Sequence, residues 1–243
     1  MTLENAIQTM TNEIATLVGH NPTIYLYGSV VHNDFKLGWS DIDFIAITES
    51  EISESQANAL VHLRQAMENR YPSTPYFRLF EGNILSIDAL VNPIPERIVY
   101  WGTSGQRITN SYHHDAFTML DIQLNGILLH GNDIRTKLTS PSFNQLRKGI
   151  ANHAKAARKH GTTVGWLLDI ARGIYTLRTG QLIPKTAAAE WAIENNLCPD
   201  PKAMSHALKI RKAPHMYTID ERKIDNAIIQ QFCDVLDKEI AKE

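Results

Sequence analysis

Hydrophobic positions recur along this chain with two different periods. A spacing near 3.6 residues predicts helices at residues 6–18, 53–70 and 115–129, and short β-prone runs predict strands at residues 23–27, 42–47, 76–80 and 84–91. The turn-forming tripeptide Glu81-Gly82-Asn83 predicts a hairpin that joins the last two strands. We therefore expect the N-terminal part of the chain to combine helices with a sheet.

The pattern changes near residue 141, after which only helical periodicity is found. Helices are predicted at residues 143–159, 164–179, 186–195, 201–212 and 220–241. The sequence thus predicts the α+β class. We expect an N-terminal domain of residues 1–140, in which a mixed sheet is flanked by helices, and an all-helical C-terminal domain of residues 141–243.

Composition narrows the function classes only a little. Of the 243 residues, 43% are hydrophobic and 21% are charged, which is typical of a folded globular protein. The net charge of -2 argues against a broad nucleic-acid surface but not against a small polyanion such as a nucleotide. Cys198 and Cys233 match no zinc spacing, and no signal peptide or membrane-length apolar run is found, so a cytoplasmic protein without a membrane partner is expected.

The most informative stretch joins two of the predicted strands. The first strand runs into Gly28-Ser29, and the second opens with Asp41-Ile42-Asp43. Residues two apart on a strand point to the same face, so the two Asp side chains project together from Cα atoms about 6–7 Å apart. Such carboxylates repel each other unless a cation neutralises them, and Mg²⁺ commonly uses one or two carboxylates together with substrate phosphates.

Gly28 and Ser29 suit the same chemistry. A glycine lets the backbone approach a ligand closely, and the Ser29 hydroxyl can donate to a phosphate oxygen. If a helix begins at Ser29, its free N–H groups also favour an anion. Taken singly, Gly-Ser is usually a turn and Asp-x-Asp a solvated strand edge, but their combination predicts a site for metal-assisted nucleotidyl transfer.

These motifs carry a family resemblance. Gly28-Ser29 with Asp41-x-Asp43 resembles the signature of the polymerase-β-type nucleotidyltransferase superfamily, and residues 168–192 resemble the helical domain of the streptomycin/spectinomycin adenylyltransferases. Those enzymes transfer AMP from ATP to a hydroxyl of an aminoglycoside or aminocyclitol. The resemblance therefore implies an N-terminal nucleotidyltransferase domain, ATP as co-substrate, Mg²⁺ as cofactor, and a helical domain that contributes to ATP and acceptor binding.

The resemblance also implies residue roles. Asp41 and Asp43 would bind Mg²⁺, while Arg172 and Lys185 match family positions that contact ATP phosphates. For Arg172 the alternative is an ordinary ion pair with Asp169, three residues earlier.

The family's third carboxylate acts as general base on the attacking hydroxyl. Asp88, in the middle of a predicted apolar strand, is our first candidate, because an acid placed there is costly without a function or a partner. Ser86 fits an alternative alignment of the same strand. Glu81 is the weaker alternative, since its predicted turn would expose it to solvent.

The acceptor is less well defined. Residues 146–160 hold five basic residues and no acid where the family's drug-binding acids are expected, which indicates either a solvated helix face or an acceptor less cationic than streptomycin. Spectinomycin, a smaller dication, fits the second reading, and Glu190 and Asp115 could supply negative charge. Transfer to a protein or RNA hydroxyl, and a nucleotide-binding regulator without catalysis, stay open as other functions.

Overall fold

The computed structural model describes residues 1–92, 94–102 and 105–242. The chain forms two compact units, and their division does not follow the sequence order throughout. The first unit contains Met1–Val31 and Asp41–Ser140, whereas the second contains His32–Ser40 and the chain from Pro141 onward. The segment His32–Ser40, which directly precedes Asp41, therefore folds with the helical part of the chain.

The first unit is built on a mixed sheet, which confirms the predicted fold class. Its described strands are β1 (Thr23–Tyr27), β2 (Ile42–Thr48), β3 (Phe80–Ser86), β4 (Ile98–Gly102), β5 (Gly105–Thr109) and β6 (Ile127–His130). They lie in the order β5-β4-β3-β2-β1-β6. Only β2 and β3 pair in parallel, and every other neighbouring pair is antiparallel.

Four helices accompany this sheet in the described residues: α1 (Leu3–Val18), α2 (Glu54–Arg70), α3 (Ile87–Val91) and α4 (Ala116–Asn125). Side-chain caps begin them; Ser53, for example, forms a capping box with Gln56 at the start of α2. The helix predicted for residues 115–129 ends earlier than expected. Gly126 follows α4, and the apolar residues after it form the edge strand β6.

The predicted hairpin at Glu81-Gly82-Asn83 is wrong. These three residues lie within the continuous strand β3, and Phe77–Leu79 before them form a 3₁₀ turn. Gly82 is needed for close strand packing rather than for a turn, because a Cβ there would lie 2.0 Å from the Phe44 carbonyl oxygen of β2. The strand predicted for residues 84–91 accordingly ends at Ser86, and α3 replaces its second half.

The second unit is helical in its described residues, apart from one isolated bridge between Thr163 and Lys223. Its helices are α5 (Phe143–His160), α6 (Gly165–Thr179), α7 (Lys185–Glu194), α8 (Pro201–Lys212) and α9 (Asn226–Ile240). Their apolar faces form its core; Gly173 of α6, for instance, packs against Ile150 of α5 and Leu236 of α9. In the described part of the chain, no helix has the length and apolar character needed to cross a membrane.

Candidate active site

Strand pairing brings acidic residues together at one edge of the sheet, where β1 ends and β2 and β3 begin. The antiparallel pairing of β1 and β2 sets Tyr27 opposite Asp43, and the parallel pairing of β2 and β3 sets Asp43 beside Glu81. Partners in register on neighbouring strands share a face, so these three side chains lie in one row. Asp41 directly precedes β2. The sheet thus carries Asp41, Asp43 and Glu81 at a single edge.

Glu81 and Asp41 interact directly. Burial raises the pKa of Glu81, and the negative charge of Asp41 and a side-chain hydrogen bond with Asp41 raise it further. Burial and the neighbouring carboxylate thus both favour the protonated form of Glu81 more than in an exposed glutamate. The positive charge of Arg64 and a hydrogen bond from the Tyr100 hydroxyl act in the opposite direction.

Arg64 is a cation of the site that sequence reasoning missed. Its Nη1 donates to the Phe80 carbonyl at 2.8 Å and its Nη2 to the Gly102 carbonyl at 3.5 Å. These bonds hold the guanidinium near the charges of Glu81 and Asp41, although burial lowers the pKa of Arg64. Nothing in the helical pattern of residues 53–70 distinguishes Arg64 from a solvated basic residue, so only the fold reveals its position.

Gly28 is constrained by its own backbone conformation and by two neighbouring acids, Asp43 and Asp121. Its φ of +72° is unfavourable for other residues, and a Cβ there would lie 2.2 Å from Asp43 Oδ2. Its N–H donates to Asp121 Oδ2 of α4 at 2.9 Å. The backbone N–H of Gly28 therefore points to a buried carboxylate, which sequence reasoning also missed.

The helix considered at Ser29 is not formed. Residues 28–33 make turns, so no helix N-terminus faces the site at this point. The Ser29 hydroxyl donates to the Asp41 carbonyl oxygen at 3.3 Å. Ser29 thus lies next to the Asp-x-Asp motif, as its proposed contact with the same ligand requires.

Two tyrosines beside this edge are affected by burial and by the nearby acids. Burial, followed by the charges of Asp43, Tyr112 and Glu81, raises the pKa of Tyr27 well above its usual value. The pKa of Tyr112 is raised to about 12 by burial and by its acidic and phenolic neighbours. Carboxylate oxygens are hard donors, and these are the ligands that Mg²⁺ prefers. The acidic side chains at this edge therefore suit a divalent cation.

The described residues contain no group of three or more His, Cys, Asp or Glu side chains arranged to hold a metal ion. A magnesium site of the predicted kind is compatible with this finding, since one or two carboxylates suffice when substrate phosphates complete the coordination.

The structure does not bring Asp88 to this edge, and its predicted position in a strand is wrong. Asp88 is exposed on the short helix α3, beyond the other end of β3. Ser86 lies five residues from Glu81, or about 17 Å along the strand, and its hydroxyl donates to Glu96 Oε2 at 2.7 Å. The physical reason is the missing hairpin, because a continuous β3 places Glu81, not Asp88, beside Asp43.

A second charged cluster lies within the helical unit. Lys185 Nζ and Arg172 Nη2 lie 2.9 Å and 3.2 Å from Asp169 Oδ1, and His153 Nε2 lies 3.9 Å from Asp169 Oδ2. Although burial alone would raise it, the charges of Lys185 and Arg172 lower the pKa of Asp169 to about 2. One carboxylate thus holds together the two cations that the resemblance assigns to phosphate, and the Asp169–Arg172 ion pair considered as an alternative is also present.

The residues considered for acceptor charge already have partners. Glu190 Oε1 lies 2.6 Å from Lys212 Nζ, and Asp115 caps α4 by accepting from the Thr118 N–H at 2.8 Å. On the basic helix α5, Arg158 pairs with Asp234 and Asp237 of α9. Part of the positive charge of α5 is therefore neutralised within the second unit.

Comparison with known proteins finds relatives of both parts of the chain. Residues 141–239 match the family model described as the aminoglycoside adenylyltransferase C-terminal domain. The spectinomycin 9-adenylyltransferases of Staphylococcus aureus strains Mu50 and N315 are each 25% identical over 182 residues, which is 70% of this chain and 70% of theirs. The helical part of the chain is thus similar to the C-terminal domain of the aminoglycoside adenylyltransferases, and most of the chain is similar to the spectinomycin adenylyltransferases.

A solved structure extends the likeness in fold to almost the whole chain. The spectinomycin adenyltransferase AAD(9) from Enterococcus faecialis, crystallised with ATP and spectinomycin, superposes with a TM-score of 0.72 at 16% sequence identity. The match covers 97% of this chain and 100% of that one. This chain and that adenyltransferase thus share one fold, in which a mixed sheet with helices is followed by C-terminal helices.

Proposed function

We propose that this protein is an ATP- and Mg²⁺-dependent adenylyltransferase that transfers AMP to a hydroxyl of an aminoglycoside or aminocyclitol. The observation that carries the proposal is the convergence of Asp41, Asp43 and Glu81 at one sheet edge, where strand register sets Asp43 beside Glu81. The likeness to proteins named spectinomycin 9-adenylyltransferase supports the choice of substrates.

Asp41 and Asp43 are the proposed metal ligands, since they supply oxygen donors at the edge that Gly28 keeps free of a side chain. When bound, Mg²⁺ would supply positive charge against the charge that develops on the α-phosphate and the leaving pyrophosphate. Ser29 is proposed to donate its hydroxyl to a phosphate oxygen. The hydrogen bond from this hydroxyl to the Asp41 carbonyl oxygen is long, at 3.3 Å, and therefore weak, so the hydroxyl can turn to a ligand.

Glu81 is the proposed general base, in place of Asp88. Its raised pKa reflects burial and the nearby charge of Asp41, so its carboxylate is a stronger proton acceptor than an exposed one. It would take the proton of the acceptor hydroxyl at a carboxylate oxygen as that hydroxyl attacks the α-phosphorus. The positive charge of Arg64 and a hydrogen bond from the Tyr100 hydroxyl favour the charged form of Glu81 before the proton is taken.

Arg172 and Lys185 are proposed to neutralise the triphosphate. Both carry their charge next to Asp169, which keeps the two cations together when no nucleotide is bound. A bound triphosphate would share these cations with Asp169, because phosphate oxygens are strong acceptors for Arg and Lys donors.

Spectinomycin is the proposed first acceptor to test. Helix α5 contains no acidic residue and several basic ones, which suits a compact dication better than the more cationic streptomycin. The similarity to spectinomycin adenylyltransferases supports this choice.

The test is pyrophosphate release by the purified protein with ATP, Mg²⁺ and a panel that includes spectinomycin and streptomycin. We expect release with spectinomycin, a loss of 10²-fold or more in Asp43→Asn, and unchanged release in Asp220→Asn, whose exposed carboxylate is the matched control. If ATP binds but no member of the panel supports release, the acceptor assignment is overturned and transfer to a protein or RNA hydroxyl, or a regulator without catalysis, is favoured.

A further inference from the structure

A buried ion pair in the second unit holds the segment that leads into the Asp-x-Asp motif. Arg211 of α8 is 2% exposed and Asp34 is 5% exposed. The Arg211 Nη2 donates to Asp34 Oδ2 at 2.9 Å and to the Asp34 carbonyl oxygen at 2.7 Å. A buried pair is stable only when both partners are well bonded, and the loss of one partner leaves an uncompensated charge.

Arg211 also holds the far end of the same segment. Its Nη1 donates to Ser40 Oγ at 2.9 Å, and Ser40 Oγ accepts the Lys36 N–H at 3.0 Å. The ring of Trp39 lies 5.8 Å from the Arg211 guanidinium carbon. One guanidinium group therefore fixes residues at both ends of His32–Ser40.

Asp34 carries the second half of this network. Its Oδ1 accepts the Thr186 hydroxyl at 2.6 Å, and its Oδ2 accepts the Thr186 N–H at 3.4 Å in the first turn of α7. Although burial opposes it, these bonds and the Arg211 charge lower the pKa of Asp34, so the carboxylate is ionised. Asp34 is thus bonded to both α7 and α8.

The positions of the contacted residues give this network a role. Ser40 is the residue before Asp41, and Thr186 is the residue after Lys185. The ion pair therefore fixes the backbone neighbour of a proposed metal ligand and the backbone neighbour of a proposed phosphate-binding cation.

We propose that Arg211 and Asp34 are positioning residues for binding of the magnesium–ATP complex: Arg211 sets the placement of Asp41, and Asp34 sets that of Lys185. The inference rests on the proposed function, because that function makes Asp41 a metal ligand and Lys185 a phosphate-binding cation. Arg211 acts through Ser40, and Asp34 acts through Thr186; neither is proposed to touch the substrates.

The test compares the affinity for ATP in Mg²⁺ and in EDTA by calorimetry on the full chain, without any acceptor. In Arg211→Lys a charge still faces Asp34, and the Asp34–Thr186 bonds are kept, but a lysine cannot bond Asp34 and Ser40 with a planar fork. We expect the affinity for ATP in Mg²⁺ to fall at least tenfold, and the affinity in EDTA to stay within twofold. A fall of similar size in both conditions overturns the inference, and so does an affinity that is unchanged in both.

Arg178→Lys is the matched control. Arg178 pairs with the buried Glu239 in the same unit, so this variant weakens a comparable ion pair away from the segment. We expect both affinities to stay within twofold of the wild type, and loss of the Mg²⁺-dependent affinity here as well would overturn the positioning role.

If Arg211→Lys does not fold, Ser40→Ala decides the question, since it removes the Ser40 contact and leaves the ion pair. We expect a fall of at least threefold in Mg²⁺ alone, and affinity equal to the wild type would overturn the inference. Failure of the proposed function gives a different result, because the wild type itself would then bind ATP equally in Mg²⁺ and EDTA.

Discussion

Glu81 and Asp88 are both acidic and lie seven residues apart, but their surroundings differ. Glu81 is partly buried beside Asp43, shares a hydrogen bond with Asp41 and faces Arg64, and these contacts change its pKa. Asp88 is exposed on α3. A general base needs a position next to the reacting hydroxyl before it needs a suitable pKa, and only Glu81 lies at the edge that carries the Asp-x-Asp motif.

The first prediction concerns this pair. Glu81→Gln is expected to lower kcat by about 10²–10⁴-fold, because an amide cannot accept the proton of the acceptor hydroxyl. Asp88→Asn is expected to leave kcat within twofold. Steady-state kinetics with ATP and spectinomycin measure both variants, and a large loss in Asp88→Asn with normal turnover in Glu81→Gln would restore the original assignment.

Gly28 provides a second prediction at the same scale. Gly28→Ala should destabilise the fold by about 1–3 kcal/mol through its positive φ, and should also displace Asp43, whose Oδ2 would lie 2.2 Å from the new Cβ. Gly19→Ala has a similar φ of +64° with nothing within 4 Å of the Cβ, so it should show the loss of stability alone. Chemical denaturation and transfer assays separate the two effects, and full activity in Gly28→Ala would contradict the close packing.

Helix α4 shows how one element serves both stability and the site. Asp115 caps its first turn by accepting from Thr118, whereas Asp121 lies buried and accepts the Gly28 N–H. Asp121 Oδ1 also accepts from Asn125 one turn later. The helix thus uses one acid for its own N-terminus and another to orient the turn after β1.

The third prediction compares these two acids. Asp121→Ala and Asp115→Ala should each destabilise the fold by about 1–2 kcal/mol, the first by leaving the partly buried Gly28 N–H without this acceptor and the second by loss of a cap. Only Asp121→Ala is expected to weaken ATP binding, by fivefold or more, since it frees Gly28. Urea denaturation and calorimetry test this, and equal ATP affinities would show that Gly28 needs no such support.

The whole molecule should respond to pH through His114. Burial lowers the pKa of this imidazole to about 4, against an ordinary value of 6.5, so the ring is neutral in the folded protein. Between pH 6.5 and 4 the unfolded chain takes up a proton at this residue and the folded chain does not. The free energy of unfolding therefore falls as the pH is lowered through this window.

The fourth prediction follows from that sign. In urea denaturation from pH 7.5 to 4.5, His114→Asn should reduce the dependence of the unfolding free energy on pH below 6.5, by up to about 1.4 kcal/mol per pH unit. His113→Asn, at the exposed neighbour, should leave the dependence unchanged. A wild-type slope retained in His114→Asn would show that other groups cause it.

The sequence by itself determined the elements whose signals are local. The helices of the second unit begin within a few residues of the predicted positions, apart from the last one, which starts at Asn226 rather than at 220. Strands β1 and β2 also follow the predicted pattern. Periodicity and caps act between residues close in the chain, so the sequence alone reveals them.

The tertiary structure decided what depends on residues far apart in the chain. Gly82 is a turn residue by local preference, but contact with Phe44 of the neighbouring strand keeps it within β3. Because β3 is therefore continuous, Glu81 rather than Asp88 lies beside Asp43. Arg64, Asp121 and Arg211 likewise acquire their roles only from partners that long-range packing brings beside them, because a charge has no fixed meaning until its neighbours and burial are known.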